Sequence, residues 1–375
     1  MIKGILPMRR RNWLVSIVAA LFGTLWRRRG RADDVKSPSV DPVLIADLPA
    51  GGPEAVPPLL DDEQGRPIET PAGWAAERER LKSRWLSFLG PAPKATATPA
   101  IETVSTERHE GYTRRTVRWE AEPGAWLDAH LLIPNQPAPP GGYPAVLALH
   151  QTSNRTIDEI AGVGEAGDQA RGVDLVRAGF VVFCPKNFLW QDVPNYTAAV
   201  ERLRARHPEM RGMHKMLFDA RTSVDALLRL APDVNRERIG TFGHSLGAKE
   251  VVYLMAFDER IRSGVASDGG VGFAQTNWDA PWYLGPDGPT QATAQKLAPQ
   301  QLLALVAPRS LLIVAGGKDR GGADGAETEP YVRSARRAYK LAAGQGLLGF
   351  WNHGLGHSMA DPVFAKCLDW FKRTV

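Results

Sequence analysis

The chain has 375 residues, 43% of them hydrophobic and 23% charged, a balance that supplies a large core and excludes wholesale disorder. Its formal charge of +5 does not point to nucleic acid, because the excess sits at one end: residues 1–31 carry eight cations and no acid, and the remainder carries 38 cations against 41 acids. The body of the chain therefore offers no basic field to a phosphate backbone.

The first 31 residues are built around an apolar run of fourteen, Trp13–Trp26, with arginines on both sides. Fourteen is short for a membrane span and suits the core of an export signal. Arg10-Arg11-Asn12-Trp13-Leu14 is similar to a twin-arginine motif. Arg27–Arg29 stand where cleavage would be expected, and no small-x-small site follows. Residues 1–31 are thus expected as a signal peptide or an uncleaved membrane anchor, and the protein as periplasmic or extracellular. Residues 32–72 are rich in Pro, Asp, Gly and Ala without a sustained period, and read as a linker. Gly73–Leu89 reads as a helix carrying Leu81, Trp85, Phe88 and Leu89 on one stripe, placed to strap onto a main domain.

From about residue 100 short apolar runs alternate with helical stretches. Strands are expected at Thr113–Glu120, Ala125–Ile133, Ala145–Leu149, Phe180–Cys184, Arg238–Phe242, Ser263–Ala266, Leu311–Ala315 and Leu348–Trp351. Helices are expected at Glu165–Arg177, Asp219–Leu230, Leu246–Ala256, Glu329–Ala342 and Pro362–Lys372. This rhythm implies an α/β domain over residues 73–375, a mostly parallel sheet covered on both faces. The two earliest strands have no helix between them and should form an antiparallel edge. Asn187–His214 and Phe273–Gln300 read as irregular insertions over the carboxyl ends of the strands, where ligands bind in such sheets. Cys184 and Cys367 are far apart, with no CxxC and no Cys/His cluster of zinc spacing. They read as buried free thiols, and no metal site is expected.

Gly243-His244-Ser245-Leu246-Gly247 fits G-x-S-x-G. Its weight comes from context, a strand directly before and a helix directly after. A nucleophilic serine must stand on a sharp turn, and small flanks let neighbouring backbone approach. A serine hydroxyl also needs a base. His357, on the loop before the last helix, is the expected base, and His353 the alternative. Asp319, closing the run LLIVAGGKD, is the expected acid, with Asp268 and Asp324 as alternatives. The oxyanion donors are expected from the backbone N–H of Leu246 and from the loop His150-Gln151-Thr152. There Thr152 is preferred to Gln151, and His150 reads as a brace. Trp190, Trp278, Trp282 and Tyr283 lie in the insertions, where they could stack on a sugar, line an acyl pocket or simply pack. His214 and Lys215 read as structural.

LHQT, RIGTFGHSLGAKE, DERIRSGVAS, LVAPRSLLIVAGGKD and GLGHS follow one another as in the dienelactone-hydrolase-like branch of the α/β hydrolases, with its acetyl xylan esterase relatives. Over residues 73–375 the chain resembles that branch. The resemblance implies an eight-stranded sheet, no cofactor, and hydrolysis of a carboxylic ester through an acyl-enzyme, with a carbohydrate ester among the expected substrates. Dienelactone hydrolases themselves use cysteine, and this chain has Ser245. Lys249, four residues after the serine, and Asp268 also resemble features of glucuronoyl esterases. Those enzymes carry arginine directly after the serine, where this chain has Leu246. Peptidases of the prolyl-oligopeptidase type share such a catalytic domain, but no propeller repeats precede it here. A non-catalytic binding protein of the same fold is the reading outside enzymes, and the complete set Ser245, Asp319 and His357 argues against it.

Overall fold

The computed structural model describes residues 43–44, 56–62, 64–164, 169–319, 323, 325–342 and 347–375. The amino-terminal apolar run and Asp324 lie outside the described residues. Among the described residues no helix is long and apolar enough to cross a membrane.

The strands are β1 (Val43–Leu44), β2 (Ile101–Arg108), β3 (Tyr112–Glu122), β4 (Ala125–Pro134), β5 (Tyr143–Leu149), β6 (Val181–Pro185), β7 (Val234–His244), β8 (Ser263–Ser267), β9 (Ser310–Gly316) and β10 (Leu348–His353). They form one sheet in the order β1-β10-β9-β8-β7-β5-β6-β4-β3-β2. The six strands from β6 to β10 in that order are parallel, and β4, β3 and β2 continue the sheet antiparallel. All eight expected strands are present, and the two earliest of them pair antiparallel as β3–β4, one strand in from the edge. Among the described residues the sheet has ten strands rather than eight. The additions are the outermost β2 and the two-residue β1, which pairs antiparallel with β10. No periodic signal marked β2, because seven of its eight residues are exposed and it has no apolar face to alternate.

The helices are α1 (Pro71–Leu89), α2 (Ile157–Ile160), α3 (Arg171–Arg177), α4 (Tyr196–Arg206), α5 (Gly212–Leu230), α6 (Leu246–Phe257), α7 (Gly288–Ala294), α8 (Pro299–Val306), α9 (Gly325–Leu341) and α10 (Asp361–Thr374). The two insertions are more regular than expected. The first holds α4, capped by the Asn195 side chain, and the second holds α7 and leads into α8. Short helices bounded by Pro, Gly and Asn complete too few turns to show a period.

Side chains alternate across the sheet between two cores. Leu311, Ile313 and Ala315 of β9 join the core under α1, α5, α6, α8 and α9. Leu312 and Val314 join the core under α3 and α10. This two-sided burial explains why the central strands read as unbroken apolar runs.

Helix α1 begins at Thr70, whose Oγ1 accepts from Gly73 N at 3.0 Å, with Pro71 in its first turn. It buries Trp74, Leu81, Trp85, Phe88 and Leu89. Trp85 is fully buried. It meets Phe88 and Tyr253 edge to face, each at 6.0 Å, and donates from Nε1 to Gln301 at 3.1 Å. Part of the stretch read as linker also lies on the fold: Val56, Leu59 and Leu60 are buried, and Pro57 O accepts from Gln300 at 2.8 Å. Trp85→Ala is expected to cost about 3–5 kcal/mol, read as a lowered urea midpoint. An unchanged midpoint would mean that α1 contributes nothing to the stability of the domain.

Candidate active site

The carboxyl ends of β5, β7, β8, β9 and β10 lie side by side, and Ser245, Asp268, Asp319, His353, His357 and the loop His150-Gln151-Thr152 stand at or just after them. Strand β7 ends at His244 and α6 begins at Leu246, so Ser245 must turn the chain in a single residue. It does so at φ 55° and ψ −114°, a backbone conformation that L residues rarely adopt. The turn is held by Ser245 N donating to Ser267 O at 2.8 Å. The flanking glycines make it possible. A Cβ on Gly243 would stand 2.3 Å from the backbone of Gly247, and a Cβ on Gly247 would stand 2.2 Å from Leu149 O. The first turn of α6 therefore rests directly on the end of β5 and the loop that follows it.

His357 lies on the loop between β10 and α10. Its Nδ1 is 2.9 Å from Asp319 Oδ2, and Asp319 Oδ2 also accepts from Ala323 N at 2.9 Å. Asp319 itself is buried. An ionised carboxylate can only accept, so the hydrogen in this contact is the one on Nδ1. The loop is fixed by Gly317 N donating to His353 O at 2.6 Å and Lys318 N donating to Leu355 O at 3.1 Å. The His357 ring lies 4.7 Å from that of His244, the residue directly before Ser245.

Asp268 converges on the same place from the tip of β8. One ligand atom each from Asp268, Asp319 and His357 lie within 4.8 Å of one another. Asp268 is fully buried and sits at φ 53°. Its Oδ2 accepts from Ser267 Oγ at 2.6 Å. His244 Nδ1 and His353 Nε2 each approach a carboxylate oxygen at 3.5 Å, beyond good hydrogen-bond length. Burial pushes the Asp268 carboxyl up, and these two histidines and Ser267 outweigh it, holding the group at about 2. His353 therefore faces Asp268, whereas His357 faces Asp319. The contact between His244 and His357 has no sequence signal, because the x of G-x-S-x-G can be any residue.

Leu246 begins a helix, so its N–H has no partner within that helix. Among the described residues no group accepts from the N–H of Leu246, Gln151 or Thr152. Thr152 is exposed and Leu246 is buried.

Lys249, on the same helix, is buried. Its Nζ donates to Asn277 Oδ1 at 3.3 Å and lies 5.2 Å from the Trp278 ring centre and 5.1 Å from that of Tyr283. Burial draws its pKa down to about 7. Lys249, Gly270, Phe273 and Trp278 line a cavity of about 30 Å³, room for a water or two. Trp278 and Tyr283 are thus packed walls. Trp190 and Trp282 are half-buried and joined through Tyr196, which lies 5.1 Å from each ring. His214 and Lys215 hold backbone and Asp219 respectively, as structural residues do, and Cys184 and Cys367 are both buried as free thiols.

No curated protein matches the chain. Among solved structures it is similar to a glucuronoyl esterase from Solibacter usitatus, with a TM-score of 0.67 at 18% identity over 87% of this chain and 99% of that one. A CE15 glucuronoyl esterase from Teredinibacter turnerae gives 0.64 at 20% identity, over 85% and 89%. An acetyl xylan esterase from Paenibacillus gives 0.52 at 13%, over 85% and 97%. At these identities the likeness is one of fold. The family model of the dienelactone hydrolase family matches residues 128–319, just over half of the chain, from β4 through the Ser245 turn to Asp319. The chain belongs to the dienelactone hydrolase family, with the α/β-hydrolase fold.

Proposed function

We propose that the protein is a serine hydrolase that cleaves a carboxylic ester of a carbohydrate through an acyl-enzyme, with Ser245 as nucleophile, His357 as base and Asp319 as acid. The observation that carries this reading is the strained Ser245 turn, directly after His244, whose ring lies 4.7 Å from that of His357, together with the buried carboxylate at His357 Nδ1. Ser245 Oγ attacks the carbonyl carbon as His357 Nε2 takes its proton. Asp319 keeps the tautomer and stabilises the imidazolium. The N–H groups of Leu246 and Thr152 receive the oxyanion. Collapse breaks the ester C–O bond, and His357 protonates the departing alcohol. Water, giving its proton to His357, then attacks the acyl carbon, and the acid leaves as Ser245 regains its hydrogen.

Asp319 is favoured over Asp268 because only Asp319 makes a bond of normal length to His357. Asp268 is engaged with Ser267, His244 and His353. A uronate ester is the specific form of carbohydrate ester that Lys249 supports. The Lys249 ammonium makes one long hydrogen bond, to Asn277, and so retains donors for sugar oxygens. The likeness to solved glucuronoyl esterases supports the same class. The arginine-flanked apolar run at residues 13–26 supports export or anchoring, where a polysaccharide substrate would be met.

A fluorophosphonate probe should label Ser245, as mapped by mass spectrometry, and His357→Ala should abolish the label. Ser245→Ala should lower kcat by at least about 10⁴-fold with an unchanged circular dichroism spectrum. Full turnover in that variant would end the serine mechanism.

Asp319→Asn should lower kcat by about 10³–10⁴-fold, and Asp268→Asn by about tenfold or less. The opposite order, measured on one aryl ester, would transfer the acid role to Asp268.

Below about pH 7 Lys249 is charged, and as pH rises through its lowered pKa it becomes a neutral amine. The ratio of kcat/KM for a methyl glucuronate ester to that for an aryl acetate should therefore fall between pH 6 and 8, since whatever acts alike on both substrates cancels in the ratio. Lys249→Met should flatten it. A flat ratio in the wild type would remove Lys249 from substrate recognition.

A further inference from the structure

The loop after β5 needs something to aim it, since the donor expected of it is a backbone N–H with no helix to orient it. We propose that His150 is a positioning residue for this loop, itself held by Asn187 and Glu250. This rests on the reading of Ser245 and Thr152 given above.

The argument starts from a group whose role is not adjustable. A backbone N–H can only donate, and Asn187 N points at His150 Nε2 at 3.1 Å. Nε2 is therefore the acceptor, and the single proton of the neutral ring is on Nδ1. That Nδ1–H donates to Gln151 O at 2.8 Å. Burial draws the His150 pKa down to about 4, partly offset by the Gln151 carbonyl and reinforced by Lys186, so the ring stays neutral at ordinary pH. The peptide joining Gln151 to Thr152 is planar and trans, so its C=O and N–H point in opposite directions. By gripping Gln151 O, His150 holds the N–H of Thr152 pointing away from itself.

The ring is in turn tied to the helix that carries the other donor. Asn187 Nδ2 donates to Glu250 Oε1 at 2.9 Å, and Asn187 Oδ1 accepts from Leu189 N at 2.9 Å. His150, Asn187 and Glu250 are all buried. Glu250 lies on α6, whose first N–H is that of Leu246. Trp190 closes the arrangement, its ring 5.2 Å from that of His150. A single chain of contacts thus runs from α6 through the start of the first insertion to the Gln151–Thr152 peptide. Both oxyanion donors take their relative position from it, in addition to the backbone contact at Gly247.

The test separates aiming from mere packing. His150→Phe keeps an aromatic ring at the position, slightly larger, and removes both hydrogen bonds. His150→Asn places an amide donor near the position of Nδ1. For an aryl ester, His150→Phe should lower kcat by about 10–100-fold, a fraction of what a whole oxyanion donor contributes, with KM within about threefold. The inhibition constant of phenylboronic acid, whose serine adduct carries an oxygen in the same hole, should weaken by a similar factor. His150→Asn should recover most of both. Asn187→Ala leaves His150 in place and should lower kcat about three- to tenfold at constant KM, which keeps the test open if His150→Phe does not fold. The inference is overturned by an active wild type whose folded variants keep kcat, or lose only KM, or lose kcat without weakened boronate binding. A wild type that neither turns over esters nor binds the boronate removes the serine-hydrolase reading, and this inference with it.

Discussion

Everything at the strand tips depends on a backbone-to-backbone contact. The first turn of α6 lies against the end of β5 with no Cβ between them, and Gly243 lies against Gly247 in the same way. This closeness forces Ser245 into a positive-φ turn. The same closeness brings the start of α6 beside Leu149 and His150, at the head of the loop that follows β5. A side chain at Gly247 would push the loop and helix apart and undo the turn. Such strain persists only where the surrounding structure over-determines it. Here the sheet does so through the bond from Ser245 N to Ser267 O and the fully buried strands on either side.

A second constraint is electrostatic. Two carboxylates, Asp268 and Asp319, and three histidines, His244, His353 and His357, crowd the ends of β7 to β10. Buried charge is tolerable only when it is paired. The chain meets this by giving each carboxylate its own partners. Asp319 takes His357 and a backbone N–H. Asp268 takes Ser267 and the longer contacts to His244 and His353. The division leaves His357 the more exposed member of its pair with Asp319. His244 and His353 are committed to the interior. Lys249 and Glu250 are neighbours on α6 and both are buried, yet they are used differently. Lys249 faces aromatic walls and Asn277, whereas Glu250 anchors Asn187. Burial pushes the Glu250 carboxyl up to about 8, so near neutral pH it carries little charge and serves as a hydrogen-bonding post.

Much of this was legible in the chain. The alternation of short apolar runs with helical stretches determined the parallel sheet, because strands buried on both faces must be apolar throughout. G-x-S-x-G between a strand and a helix determined the Ser245 turn, because close backbone packing there tolerates only glycine. The order of Asp319 and His357 after Ser245 determined the candidate set, because loops at the same ends of parallel strands must come together. Other features depend on three-dimensional neighbours. Strand β2 has no apolar periodicity because it lies at an edge in solvent. The choice between Asp319 and Asp268 turns on which carboxylate reaches Nδ1, and both follow a strand in the sequence. Asn187 lies 37 residues from His150 and 63 from Glu250, and nothing local marks it. The sequence by itself determined the fold and the chemical kind of each group, because these follow from burial pattern and residue type. Only the tertiary structure decided the pairings, because hydrogen bonds of about 3 Å between distant segments depend on how those segments pack.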